Sequence, residues 1–595
     1  MCGIAGLVAG PGRGELDRSP DAGVLERLSD ALAHRGPDGQ GAYVNGACAL
    51  VHTRLAIIDP QGGDQPFVAR REDGTEVALI ANGEIYNNPE LRQHMTGVDF
   101  RSGSDSEPPL YLYLEHGLDF VDHLRGMYAI AIWDGGAQRL VLTRDPFGIK
   151  PLYYAATHKG FAFASEPAAL VAAGLVEPRL DTKKRDELLQ LQFTTGRDVL
   201  FAGVNRLSPG ETIVVEDGLI VERRVRPALP PGGPRRISRS QALSDLDHVL
   251  NNCVGVHQRS DVPYGMFLSG GVDSSVLLAM MSRLNPDPVV AFTAGFSGTG
   301  AHDERELARS LAKAEGADHI EVEFGADDFW ATLPQIAKHM DDAVADYAVL
   351  PTWKLAEKAK AEGIKVVLTG EGGDELFAGY GRYRSATRWL LPKDMYRKGI
   401  FDGLGVLRDE DPSRAWRAGI VQAKLEAQAP GRSKLQTVQA QDIATWLPGD
   451  LLTKVDRMLM AHGVEGRVPF LDPRMADFAF TLPDVLKVKR GLGKRVLRRW
   501  LQTAMPKALP FSKKRGFTVP VGEWIALRGQ HAGALVASED CILDICHGDS
   551  VRALFQSTDA RATKAAWTLL FYAVWHKVHI QGTSPDGDAF DVLSA

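Results

Sequence analysis

The feature that most constrains this 595-residue chain is a break in its patterning at "RPALPPGGPRRISRS", residues 226–240. Proline, glycine and arginine crowd there and apolar residues thin out, a composition that suits neither a buried strand nor a core-facing helix. Before the break, short apolar runs recur at turn spacing: "ACALVHTRLAII" (47–58), "EVALIANGEIY" (76–86), "MYAIAIWD" (127–134), "RLVLTRD" (139–145), "PLYYA" (151–155) and "FAFAS" (161–165). Such runs predict the strands of a β-rich first domain. After it the period changes. Leu243, Leu246, Leu250 and Val254 fall at helical intervals, and "VPYGMFLSGG" (262–271), "PVVAFTAGF" (288–296) and "GIKVVLTGEGG" (363–373) read as strands between helical stretches. That alternation predicts a parallel sheet with crossover helices. From about residue 385 the pattern is mainly helical. The expected organisation is an α/β multidomain protein: a first domain over 1–215, a linker over 216–240 and a second domain over 241–595.

Composition narrows the class. With 44% hydrophobic and 24% charged residues and a net charge of -7, the chain has the makeup of a globular protein with no general affinity for nucleic acid or anionic membrane. No apolar run approaches the length of a membrane span, and the start lacks the basic and apolar regions of a signal peptide. Five cysteines are too few and too scattered for a disulfide framework, and Cys541, Cys546 and His547 lack the second pair a zinc site needs. A reducing, cytoplasmic setting is expected.

The chain opens "MCGIAGL". Taken alone, a cysteine so close to an end carries little weight. With Met1 removed, however, Cys2 would present a free α-amine beside its thiol. An amine titrating near ~8 and a thiol near ~8.5 make a self-contained nucleophile and base, with no histidine required. Three further segments place polar residues at strand ends and turns: "HTRLAIID" with Arg54, "ANGEIYN" with Asn82, Gly83 and Glu84, and "RSGSDSE" with Asp105. Together with Cys2 they form a complete chemical set. The thiol attacks an amide carbon, and the Asn82 side chain and Gly83 N–H hold the oxyanion. Arg54 pairs with a carboxylate and Asp105 with an ammonium. A substrate carrying amide, carboxylate and ammonium is glutamine.

A second site is suggested by "LSGGVDSS", residues 268–275, set between a strand and a helix start. Gly270 and Gly271 let a phosphate approach the backbone N–H groups, and Ser269, Ser274 and Ser275 add hydroxyl donors. A Walker loop is excluded, because no Gly-x4-Gly-Lys-Ser/Thr occurs. Asp273 is out of place beside phosphate unless Mg²⁺ lies between them. In "VVLTGEGGDELFAGYGRY" (366–383), Glu371, Asp374 and Glu375 crowd together after another strand, which also calls for a cation. Asp273 and Asp374 are the expected metal ligands, shared with the pyrophosphate.

The ordered motifs "MCGIAGL", "HRGPDGQG" (34–41), "HTRLAIID", "ANGEIYN", "SGSD" and "RDPFGIKPLYY" (144–154) resemble the class II glutamine amidotransferase domain, an N-terminal-nucleophile hydrolase, over most of 1–210. The resemblance implies an αββα sandwich. It carries over the roles given to Cys2, Arg54, Asn82, Gly83 and Asp105, and adds Glu84 as a contact of the glutamine amino group. "SEPP" (106–109) departs from the family and predicts a delayed helix after Asp105. "SGGVDSS" with "TGEGGDELFAGY", "LLTKVDRMLMAHGVEGRVPFLD" (451–472) and "KRVLRR" (494–499) looks like the synthetase domain of the asparagine synthetase B family over about 240–525. That resemblance implies that Leu268, Ala294, Thr369 and Gly370 line the ATP site. It implies that Glu371 handles protons around the attacking ammonia and that Lys494 offsets phosphate charge. "HDE" (302–304) also fits the family. Gly466 stands where Ala or Val is usual, which affects packing. The implied substrates are glutamine, aspartate and ATP, with Mg²⁺ as cofactor, giving AMP, pyrophosphate, asparagine and glutamate. A homodimer is left open. The acceptor pocket is assembled from scattered residues, so a different carboxylate, from a modified peptide or a cell-envelope sugar acid, remains an alternative.

Overall fold

A computed structural model describes residues 2–10, 21–300, 303–386, 398–489, 491–512 and 518–595. His302 of the "HDE" motif lies outside the described residues. The first half contains β1 (Cys2–Ala9), β2 (Gly39–Asn45), β3 (Cys48–Arg54), β4 (Phe67–Arg70), β5 (Glu76–Ile85) and β6 (Gly126–Asp134). These are followed by β7 (Arg139–Arg144), β8 (Tyr153–Thr157), β9 (Gly160–Ala164), β10 (Val204–Arg206), β11 (Glu211–Glu216) and β12 (Leu219–Val225). They form two six-stranded antiparallel sheets, ordered β10-β8-β9-β1-β3-β2 and β12-β11-β7-β6-β5-β4.

The two-residue period of a strand explains the layering. Ile4 and Val8 of β1 join Leu50, Ala78 and Ile80 in the core between the sheets. Ala5 and Leu7 face the opposite way, against Leu28 and Leu32 of the helix Ala22–Leu32. On the far side, Val77 and Leu79 of β5 pack with Leu110 and Tyr113 of the helix Pro108–His116. The result is helix, sheet, sheet, helix.

Two local expectations are corrected. Residues 219–225 are a strand, whereas the sequence placed them in a linker beginning at 216. Charged Glu222, Arg223 and Arg224 mask the pattern, but the segment pairs along β11 and Ile220 packs against the inter-sheet core. Pro108 and Pro109 open their helix instead of delaying it. A helix's first turn has no intrahelical use for the N–H that proline lacks.

The second half holds a parallel sheet of β13 (Tyr264–Phe267), β14 (Val290–Gly295), β15 (Asp318–Glu323), β16 (Val366–Leu368) and β17 (Glu465–Arg467), ordered β15-β14-β13-β16-β17. The chain leaves β13 toward β14 on one side and returns at β16 on the other. The carboxyl ends of β13 and β16 therefore form a switch point, where ligands of open α/β sheets bind. β17 escaped sequence reading because it is three residues long and lies in an otherwise helical stretch.

Candidate active sites

The register of the first sheet sets Cys2 directly opposite Arg54. The Cys2 backbone nitrogen donates to Asn82 Oδ1 at 3.1 Å, reaching from one sheet to the other. Asn82 is fully buried, and its Nδ2 has no hydrogen-bond partner among the described residues. One end of the amide thus fixes the Cys2 backbone nitrogen. The other end is a donor held ready for an anion. Gln65 clamps the strand just ahead, accepting from the Ala81 N–H at 2.7 Å and donating to the Ala81 carbonyl at 3.3 Å. Gly83 is required by close approach, since a Cβ there would lie 2.1 Å from the Met127 carbonyl oxygen.

Burial pushes the Cys2 thiol up from its ordinary range, while the Leu55 N–H and Arg54 pull it back. Such a thiol needs a base. Nearby His52 is not one, because burial depresses its imidazole to about 3. Arg54 is nearly buried. Its guanidinium donates to the Pro60 and Asp59 carbonyls at 2.9 and 2.6 Å and to Asp64 Oδ1 at 2.7 Å. The loop after β3 therefore holds the arginine in place. Asp105 accepts from the Ile85 N–H at 2.5 Å, and burial raises its carboxyl to about 6. Glu84 faces the second half of the chain, where it pairs with Arg467 at 2.9 Å.

At the second site, the helix Val272–Leu284 begins at Gly271, directly after the loop leaving β13. Gly270 has φ +66°, a left-handed conformation that glycine adopts without strain. Ser274 Oγ accepts from the Ser269 N–H at 3.2 Å, and Ser275 donates to the Gly271 carbonyl at 2.7 Å, so both hydroxyls brace the loop. Leu268, Ala294 and Thr369 are buried at the adjoining strand ends, and the Thr369 hydroxyl has no partner among the described residues. Gly370 and Gly373 press on Asp273, since a Cβ on either would come within 2.9 or 2.6 Å of it. Lys494 bonds to both Asp273 and Asp374, at 2.7 Å for the latter. The two carboxylates expected to share a cation thus converge on one ammonium. Burial raises the Glu371 carboxyl and Lys454 lowers it, while Asp374, Asp346 and Asp273 raise it further.

The sites share an interface whose charged members sequence reasoning did not assign. Arg35 of the "HRGPDG" motif is fully buried and donates to the Cys2 carbonyl at 3.3 Å, Glu166 at 2.7 Å and Asp456 at 2.8 Å. Arg467, from the quoted "GVEGRVPF", pairs with Glu84 and Glu465 and accepts the Thr369 N–H on its carbonyl at 2.9 Å. Arg125 pairs with Asp472 at 2.8 Å. A buried apolar cluster also joins Leu55, Met127 and Ile149 of the first half to Leu268, Leu376 and Val468 of the second. Motif position was the only available signal for Arg35 and Arg467, and Arg125 had none, because Asp456, Glu84 and Asp472 each lie more than 300 positions from the arginine they meet.

Comparison with known proteins gives two family matches. The glutamine amidotransferase domain model matches residues 1–225 and the asparagine synthase model matches 245–577. "Asparagine synthetase [glutamine-hydrolyzing] 1" of Bacillus subtilis (strain 168) is 31% identical, over 98% of this chain and 97% of its own length. "Asparagine synthetase B [glutamine-hydrolyzing]" of Escherichia coli (strain K12) is 28% identical, over 88% and 83%. "Amidase chyE" of Penicillium rubens is 30% identical over 65% of this chain and 60% of its own length. The first match takes in Cys2 and the second takes in the 268–275 loop, and the chain belongs to the asparagine synthase family.

Proposed function

We propose that this protein is a glutamine-dependent asparagine synthetase with Mg²⁺ as its metal. Glutamine binds in the first site with its carboxylate on Arg54 and its ammonium at Asp105 and Glu84. The α-amine of Cys2, oriented by Asn82 Oδ1, takes the thiol proton. The thiolate attacks the amide carbon, and Asn82 Nδ2 with the Gly83 N–H stabilises the oxyanion. Ammonia leaves, and water later releases glutamate. In the second site, the 268–275 loop cradles the phosphates of ATP while the aspartate side-chain carboxylate attacks the α-phosphorus, releasing pyrophosphate. Ammonia then attacks the acyl carbon, Glu371 accepts its proton, and AMP departs. The convergence of Asp273 and Asp374 fits a shared cation, and Mg²⁺ bound there would neutralise charge on the departing pyrophosphate.

The observation that carries this reading is the shared interface. Arg35 touches the Cys2 carbonyl on one side and Asp456 on the other, and a buried apolar cluster also runs from the first half to the second. Ammonia reaching a dry interior stays neutral and nucleophilic, whereas in neutral water most of it is protonated. The likeness to an amidase favours keeping a second reading, amidation of another carboxylate. Mass spectrometry of the product formed from ATP, glutamine and L-aspartate tests the two. Asparagine with equimolar AMP and pyrophosphate supports the first reading. Pyrophosphate release only with another acid supports the second.

A further inference from the structure

Beside the ATP loop lies an ion pair that the mechanism above does not use. Asp346, in the turn before the helix Val349–Ala361, meets Lys454, on the first turn of the helix Thr453–Met460, at 3.1 Å. Both side chains are largely buried, with 17% and 7% of their surface exposed. Their positions are set by the surrounding backbone. Asp346 Oδ1 accepts from the Ala348 N–H at 3.0 Å. Ala345 just before it donates to the Gln192 carbonyl at 2.8 Å and accepts from Trp567 Nε1 at 2.7 Å. Lys454 also feels Glu371 and Asp450, and Glu371 is the group assigned to the attacking ammonia. The pair is therefore a neighbour of the reacting centre.

We propose that Asp346 and Lys454 recognise the acceptor, closing on each other in the free enzyme and opening to hold the ammonium and the spectator carboxylate of an α-amino acid. The inference rests on the reading given under Proposed function and deepens it. Its geometry follows from a likeness of shape. The charged ends of an α-amino acid sit about one hydrogen-bond length apart, as do the two heads of the pair. Laid antiparallel, the zwitterion and the ion pair make a square of alternating charge, and no buried charge is left unmatched when one partner set replaces the other. The local balance favours an acceptor that brings its own cation. One ammonium, Lys454, faces the three carboxylates Asp346, Glu371 and Asp450, with Lys564 acting on Asp346 from further off. A dicarboxylate without an ammonium would add negative charge to a group in which the carboxylates Asp346, Glu371 and Asp450 already outnumber the ammoniums Lys454 and Lys564. An acceptor without the second carboxylate would take Asp346 and leave Lys454 without its ion-pair partner, with only Glu371 and Asp450 still acting on it.

The test uses the full-length enzyme with ATP, Mg²⁺ and ammonium, following pyrophosphate release with L-aspartate, succinate and β-alanine. The last two are aspartate without its ammonium and aspartate without its α-carboxylate. The unmodified enzyme should prefer aspartate to either by on the order of 100-fold in kcat/KM, as loss of one charged hydrogen-bond partner commonly costs. Asp346→Asn should raise the KM for aspartate by on the order of 10- to 100-fold, leave the KM for ATP within about twofold, and shrink the preference for aspartate over succinate. Lys454→Gln should shrink the preference over β-alanine instead. Glutamine hydrolysis at Cys2 reports that each variant is folded. Equal use of the three acids by the unmodified enzyme overturns the proposal and needs no variant. So do folded variants that slow every acid alike with discrimination unchanged, since that is what a purely structural pair would do. If aspartate gives no pyrophosphate while an acid lacking an ammonium does, the reading under Proposed function falls first and this inference with it.

Discussion

Arg35 and Asp456 stand 421 residues apart in sequence and share two hydrogen bonds, of 2.8 and 3.1 Å. The same guanidinium holds the Cys2 carbonyl and Glu166, so a cation from the first half is neutralised partly by the second. Asp456→Asn keeps the shape and removes the charge. With Glu166 still in place, the expected cost is roughly 2–4 kcal/mol, at or below the range for breaking a buried pair. Thermal unfolding should show a clear fall in Tm, and glutamine hydrolysis should suffer more than ammonium-driven synthesis. An unchanged Tm would show that the pair carries no net stabilisation.

Cys2 and Asp273 should separate the two chemistries. Cys2→Ala removes the nucleophile and leaves the ATP loop intact, so it is expected to fail with glutamine and to work with ammonium. Asp273→Ala is expected to lose synthesis from either nitrogen source by roughly 100- to 1000-fold or more, while still hydrolysing glutamine. Parallel assays of glutamate and pyrophosphate check both. N-terminal sequencing of the active enzyme should begin at Cys2, and retention of Met1 would remove the proposed base.

Arg54 governs glutamine affinity in this scheme. Arg54→Ala deletes its contact with the substrate carboxylate and frees the loop around Pro60 and Asp64. The KM for glutamine should rise on the order of 10- to 100-fold, matching loss of a charge-assisted contact. Ammonium-driven synthesis should change little, and equal loss of both activities would assign the residue a structural role.

Asp105 links pH to glutamine use. Its carboxyl is raised to about 6, chiefly by burial, with the Ile85 N–H opposing the rise. Only the ionised form can pair with the glutamine ammonium, so kcat/KM for glutamine hydrolysis should fall about tenfold per unit below pH 6. The stability effect has the opposite sense. An acid raised by folding favours the folded state below its unfolded pKa, and that contribution is lost as pH rises through about 6. Asp105→Asn should therefore stabilise the protein at pH 7.5, by on the order of 3 kcal/mol, and lose this advantage near pH 4. Calorimetry across that range, set against a glutaminase assay, measures both sides.

The reach of the sequence is clearest at particular residues. Asn82, Gly270 and Asp273 were legible because each sits in a short motif at the end of an apolar run, where local chemistry fixes its setting. β17 was not, because three residues carry no periodicity. Arg467 was read as part of a motif without a task, since its partner Glu84 belongs to another domain. The strand 219–225 was hidden by charges on an edge with one covered face. Asp346 carries no pattern, Lys454 sits in a motif without a task of its own, and only folding brings them together.

The backbone of Arg467 belongs to the ATP site, through Thr369, and its side chain to the glutamine site, through Glu84. Severing the chain within 226–240 would therefore not release two self-sufficient enzymes. One fragment would expose Arg125 and Glu84 without the charges that meet them and leave Arg35 only Glu166, and the other would expose Asp472 and leave Asp456 only Arg457 and Arg467 only Glu465. A chimera that grafts a foreign glutaminase onto this synthetase must bring matching groups at all three places, or each mismatch becomes a stranded charge at the seam.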